Sequence, residues 1–357
     1  MGVKVYNNRM IHYDLLRILA CFAVIMIHSG IYKQTEGFSN QSSQILIYNL
    51  YGIISRWAVP CFVMISGIMF LDNNKEIPLK KLYGKYILRL FVSYVFWSCV
   101  YAGFNMMFET GDGFTNKLKY FINNCFSGEI HMWYVLMCIG LYIASPIIRV
   151  ILNNASKRII EYWITVMFIF ASVIPFVVDC NIPYISGTID YLNKYIDIQF
   201  LCGYTLYFVL GYYINHFEIS KITEKVVYFL GVIGFIYSVT VLIILKYFIN
   251  FQLGALNYFY PNIIFMGCAI LVFFKYRVTK VHFSDKAKSV IYRISKLTYG
   301  IFLVHVLILK MIYHLGICLS LCNYIISIPL VTLITFIISM IVIILISKIP
   351  FINKYIC

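Results

Sequence analysis

Residues 13–30 read YDLLRILACFAVIMIHSG, an apolar run that nevertheless holds an acid, a base and a histidine. Taken as a helix crossing a membrane, it places Asp14 and Arg17 three residues apart on one face. His28 follows Arg17 by eleven residues, almost three full turns, and so projects from that same face roughly 16 Å further along the axis. A charge inside a bilayer costs several kcal/mol and is seldom kept without a partner or a task. A stripe with a cation low and an imidazole high reads as a ligand channel with a reactive end.

The rest of the chain has the composition such a helix requires. Of 357 residues, 62% are hydrophobic and 12% charged, with mean hydropathy +0.84. Soluble domains are about half apolar and a quarter charged, so the expected fold is an all-α polytopic membrane bundle. Apolar segments near 12–32, 45–71, 86–108, 131–150, 159–178, 197–216, 226–249, 257–275, 297–314 and 323–347 give about ten transmembrane helices. The net charge of +15 does not mark a nucleic-acid binder, because 21 of the 29 Lys and Arg collect in loops on one side and 6 on the other. The positive-inside rule then puts both termini in the cytoplasm. No small-residue cleavage site follows His28, so the first span is expected to remain uncleaved. Residues 1–357 read as one membrane-embedded domain with no appended soluble domain.

Eleven cysteines show no CxxC and no Cys/His cluster at metal spacing, so they read as small core residues, no metal is expected, and Cys318 with Cys322 is a weak pairing. The sequence holds neither GxxxxGK[ST] nor GxGxxG, which argues against nucleotide hydrolysis and a dinucleotide fold.

Four of the seven histidines, His12, His216, His282 and His314, fall near span edges, where interfacial roles suffice. His28, His131 and His305 remain as candidates for proton transfer, since imidazole titrates near neutrality. Arg56, in SRWAVP (55–60), falls near mid-bilayer. Pro60 cannot donate to the Arg56 carbonyl, so a kink is expected there. A guanidinium at that depth either pairs with an acid of another span or clamps a carbonyl or developing oxyanion. The small pair Ser66 and Gly67 reads as a close-packing contact. Lys81, Lys85 and Arg89 recur every four residues at the entry to the third span. They serve as topology determinants or as a seat for a polyphosphate ligand from the cytoplasm.

Arg17 and His28, with ten residues between them, resemble the signature of the acyltransferase-3 family of ten-span membrane acyltransferases. VPCFVMISGIMF (59–70) resembles its second-span motif, KLYGKYILRL (81–90) its basic entry to the third, and HMWYVLMCIGLYIASPIIR (131–149) and LTYGIFLVH (297–305) complete the set. Within the family, SRWAVP, HMWY and ASPIIR are most similar to the enterobacterial common antigen O-acetyltransferase type. The resemblance implies transfer of an acyl group, usually acetyl, from cytoplasmic acyl-CoA to a hydroxyl of a cell-surface glycan or lipid-linked sugar. Arg17, Lys81, Lys85 and Arg89 would then hold the coenzyme. His28 would be base or acyl carrier, with Asp14 positioning Arg17, and Arg56 or His305 assisting. His131, Trp133 and Tyr134 suit stacking on a sugar. The third-span motif is looser than the consecutive arginines of some relatives. The expected location is a bacterial cell membrane. The competing expectation is a transporter or flippase of a sugar lipid or small anion, with Arg17, Arg56 and His28 as pathway residues.

Overall fold

The computed structural model describes residues 10–34, 43–72, 77–108, 114–196, 203–245, 256–315, 323–350 and 355. It is 86% helical, and among the described residues it has no strand and nine segments long and apolar enough to cross a membrane. In chain order the helices are α1 (Ile11–Gln34), α2 (Ser43–Ser55), α3 (Ala58–Phe70), α4 (Leu79–Phe108) and α5 (Phe114–Ser127). There follow α6 (Trp133–Asn154), α7 (Lys157–Asp179), α8 (Ile185–Ile196), α9 (Thr205–His216) and α10 (Lys221–Thr240). The last three are α11 (Pro261–Tyr276), α12 (Asp285–His314) and α13 (Tyr324–Ile346).

Three features depart from the sequence reading. The sixth expected span, 197–216, is described from residue 203, and its helix α9 has 12 residues, about 18 Å. Most of its residues are buried, so the described part packs inside the bundle. The segments 109–130 and 179–196, left between the expected spans on the side opposite the termini, contain α5 and α8, whose exposed apolar residues (Leu118, Ile122 and Phe126; Tyr191, Leu192, Tyr195 and Ile196) suit helices lying in a membrane interface. The loop expected at 276–296 is helical from Asp285 onward, so α12 runs 30 residues. Ser284 starts it, its hydroxyl accepting from the Ala287 N–H at 3.3 Å. The kink expected near Arg56 is present, and it separates α2 from α3 at Arg56 and Trp57. The proposed Cys318–Cys322 pair and the charges Lys4, Arg9, Lys75, Lys246 and Lys354 lie outside the described residues. The cysteines at 21, 61, 99, 125, 138, 180 and 268 are free.

Helix α1 is the axis of the bundle, packed on α2, α3, α12 and α13. Its contact with α13 follows from small polar residues. Ser327, Thr332, Thr335 and Ser339 turn inward while Ile and Leu neighbours face out, and Thr332 donates to Ser29 at 3.2 Å. Helices α3 and α9 cross with backbones touching. A Cβ on Gly67 would lie 1.9 Å from the Phe208 carbonyl oxygen, and one on Gly211 would lie 2.0 Å from that of Met64. Tyr13 donates to Asn215 at 3.0 Å and Tyr207 donates to the Tyr258 carbonyl, so α9 runs from the level of α11's start to that of α1's start. Lys275 donates to the Ile214 and Phe217 carbonyls, both at 2.9 Å, and thereby caps the C-terminus of α9.

The glycine crossing generates a prediction. Gly67→Ala or Gly211→Ala forces the two backbones apart and lowers stability by about 1–3 kcal/mol. Gly140→Ala, with nothing within 4 Å of the added Cβ, leaves it unchanged or raised. Thermal unfolding in detergent reads the difference, and equal midpoints for all three variants would refute the crossing.

Candidate functional site

Three histidines far apart in sequence meet inside the bundle. His28 comes from α1, His131 from the turn before α6, and His305 from the middle of α12. Their ring centroids are 5.2 Å apart for His28–His305, 5.0 Å for His131–His305 and 6.0 Å for His28–His131. His131 and His305 are buried, while His28 keeps some accessible surface. A carbonyl can only accept, so the contacts to α12 set two tautomers. His305 Nδ1 donates to the Phe302 carbonyl at 2.6 Å, and His131 Nε2 donates to the Leu303 carbonyl at 3.4 Å. The opposite nitrogens, His305 Nε2 and His131 Nδ1, carry lone pairs and have no protein partner, and neither has His28 Nδ1. Three unsatisfied imidazole nitrogens in one place are unusual, because buried polar atoms normally find partners. Among the described residues no set of His, Cys, Asp or Glu is arranged to hold a metal ion.

Tyr101 of α4 prepares the α12 side of this cluster. Its hydroxyl receives the Leu307 N–H at 3.0 Å and donates to the Leu303 carbonyl at 2.8 Å. Those are the two groups that an undisturbed α-helix pairs directly, so the phenol bridges one rung of the ladder. The same Leu303 oxygen serves His131. Behind Tyr101 lies a half-buried polar group whose Lys310 is one of the six basic residues on the side opposite the termini. Lys310 pairs with Glu129, donates to Asn105 at 2.7 Å, and sits 5.7 Å from the Tyr101 ring centroid. The signal available was Glu129 two residues ahead of His131.

At the basic end the expected pair is formed. Arg17 Nη1 lies 3.1 Å from the buried Asp14 carboxylate, which also accepts from Ser295 at 2.8 Å. Arg17 further contacts the Met69 sulfur. The entry to α4 begins with a π-type turn over Leu82–Ile87, wider than an α turn. Lys81 and Lys85 are exposed there, while Arg89 turns inward, 5.2 Å from the Tyr299 ring centroid. A column of hydroxyls joins the two levels. Tyr142 and Tyr134 stand beside Ser66, Tyr134 also beside Cys138, and Tyr299 hydrogen-bonds Ser93. Phe302 stands 5.2 Å from Tyr134 and 5.4 Å from His131, closing the line to the histidines. Ser66, Tyr134, Tyr142 and Tyr299 each stay partly accessible within the helix packing. The cavities described elsewhere, an apolar groove of about 550 Å³ beside α10 and α11 and one of about 250 Å³ at His12 and His282, do not join Arg17 to His28. Sequence reasoning missed Tyr142, Tyr299 and Cys138, although all three stood within segments already quoted.

Arg56 has no acid of another span beside it among the described residues. Its Nε donates to the Leu256 carbonyl at 2.7 Å, and its guanidinium carbon lies 4.3 Å from the Tyr258 ring centroid. Trp133 stacks toward Tyr204 and Tyr258, at 5.4 and 5.9 Å between centroids. Trp133 therefore joins the Arg56 aromatic group, whereas Tyr134 belongs to the inner column.

These observations define a polytopic helical membrane protein with an internal imidazole cluster set above half-buried arginines. A family model described as "Acyltransferase domain" matches residues 11–347, and the chain belongs to this family, acyltransferase 3. Comparison with curated proteins and with solved structures finds no match.

The Tyr101 bridge makes a test that needs no assay of turnover. In Tyr101→Phe the α12 ladder closes on itself, Leu303 withdraws its carbonyl, and His131 samples both tautomers. Nitrogen-15 spectra of labelled histidine report this directly, and an unchanged His131 signal would remove the positioning role. The stability loss should be about 1–2 kcal/mol.

Proposed function

We propose that this membrane acyltransferase moves an acyl group, acetyl in the simplest case, from cytoplasmic acyl-CoA to a hydroxyl of a cell-surface glycan or lipid-linked sugar. The observation that carries the reading is the meeting of His28, His131 and His305, with bare ring nitrogens, on the stripe that begins at Arg17. In this reading the coenzyme phosphates stay at the basic end with Arg17, Arg89, Lys81 and Lys85. The pantetheine arm extends along the column of Ser66, Tyr142 and Tyr134 toward His28.

The chemistry needs a base, an acid and little else. His28 Nδ1 takes the proton of the acceptor hydroxyl as its oxygen attacks the thioester carbon. The carbon–sulfur bond breaks, and the imidazolium returns the proton to the departing coenzyme thiolate. Acyl transfer through His28 itself, as a carrier, gives the same products in two steps. His131 and His305, each oriented by an α12 carbonyl with one ring nitrogen left bare, accept hydrogen bonds from the hydroxyl or orient His28. The pattern shared with the enterobacterial common antigen O-acetyltransferase type supports acetyl as the acyl group, a bacterial cell membrane as the setting and the basic end as cytoplasmic.

Membranes given labelled acetyl-CoA should pass label to the glycan or lipid fraction. His28→Ala should reduce that transfer by 100-fold or more, about the share general base catalysis supplies, with insertion unchanged. Arg17→Ala should raise the apparent KM for acetyl-CoA more than it lowers kcat. Full transfer by His28→Ala would end the mechanism, and transmembrane movement of an unmodified sugar lipid without label transfer would favour a transporter.

A further inference from the structure

Arg56 is a permanent charge whose counter-charge the described protein does not supply. Among the described residues its one hydrogen bond goes to a neutral carbonyl through Nε, and neither terminal nitrogen of the guanidinium fork has an acceptor there. The Tyr258 face below it stabilises the cation yet cannot neutralise it. A developing oxyanion exists only during the reaction and cannot compensate a charge that is there throughout. The planar fork is, however, well matched to a carboxylate or phosphate, which it holds by two parallel bonds.

The surroundings say on which side such an anion enters. Tyr258 precedes α11, Tyr204 precedes α9, and Trp133 opens α6, so all three lie at the end opposite Lys81, Lys85 and Arg89. Trp133 and Tyr204 are partly exposed there, and Phe259 stands 4.7 Å from Tyr204 between ring centroids. Flat aromatic faces beside a forked cation form the usual pairing for a sugar ring that bears or adjoins an anion. Trp133 of this group lies two residues from His131 in the chain, so the aromatic faces and the imidazole cluster are neighbours.

We propose that Arg56, Tyr258, Trp133 and Tyr204 form the acceptor subsite, and that the acceptor is anionic, its carboxylate or phosphate lying on Arg56 while its ring stacks on the aromatic side chains. This rests on the acyl-transfer reading for its purpose, though binding can be measured without any donor. The full chain is placed in nanodiscs of phosphatidylcholine and titrated with two matched pairs of probes. One pair is methyl glucuronide and methyl glucoside, and the other is a polyprenyl phosphate and the polyprenol of equal length. Tryptophan fluorescence follows binding, with Trp133→Phe as the blank.

At least one anionic probe should bind about tenfold more tightly than its neutral twin, as a charge-assisted bond would give. Preference for the glucuronide places the charge on the sugar, and preference for the phosphate places it on the lipid carrier. Arg56→Gln should erase the preference without weakening the neutral probe, and Arg56→Lys should keep part of it with an unchanged melting temperature. Equal affinities within both pairs, a preference that survives Arg56→Gln, or no binding of any probe would each overturn the proposal. Loss of the acyl-transfer reading, by full activity of His28→Ala, would leave this titration untouched, so the two failures are separable.

Discussion

Two carbonyl oxygens of α12, those of Phe302 and Leu303, hold the centre of this protein together. Each fixes one imidazole through one nitrogen and leaves the other nitrogen bare. A helix carbonyl keeps a second lone pair beyond its ladder bond, and a neighbouring side chain can use it. Here Tyr101 takes one rung into its own hydroxyl and keeps the Leu303 oxygen in place for His131.

The bundle around this centre is built to bring backbones close. The α3–α9 crossing, at Gly67 and Gly211, is too tight for any side chain. It lets a 12-residue helix sit among full-length spans. Lys275 then satisfies the carbonyls at its lower end, where a short buried helix would otherwise leave acceptors unpaired in hydrocarbon. Hydroxyls of α13 turned toward α1 act similarly on the other flank. Packing of this kind fixes α1, and α1 fixes the line from Arg17 to His28.

Charges inside the bundle fall into two kinds. Arg17 is partnered by Asp14, which Ser295 steadies, so it costs little to keep and is pre-aligned. Arg56 rests on a carbonyl and an aromatic face, an arrangement that tolerates a cation and, among the described residues, leaves its forked edge unused. The first is a settled component of the fold. The second points to something outside it.

The sequence by itself determined the membrane class, the break at Arg56, the Asp14–Arg17 pair and the common face of Arg17 and His28. These follow from composition and from a helical period that acts over a few residues, and no neighbour was needed to read them. It also singled out His131 and His305, but one at a time, because nothing in a linear chain reports which helix lies against which. Their meeting with His28, the role of Tyr101, the hydroxyl column through Ser66 and Tyr142, and the short buried α9 were decided by tertiary packing. A histidine 174 residues from another in the chain becomes its neighbour only once small residues let the helices close, and that approach has no local signature.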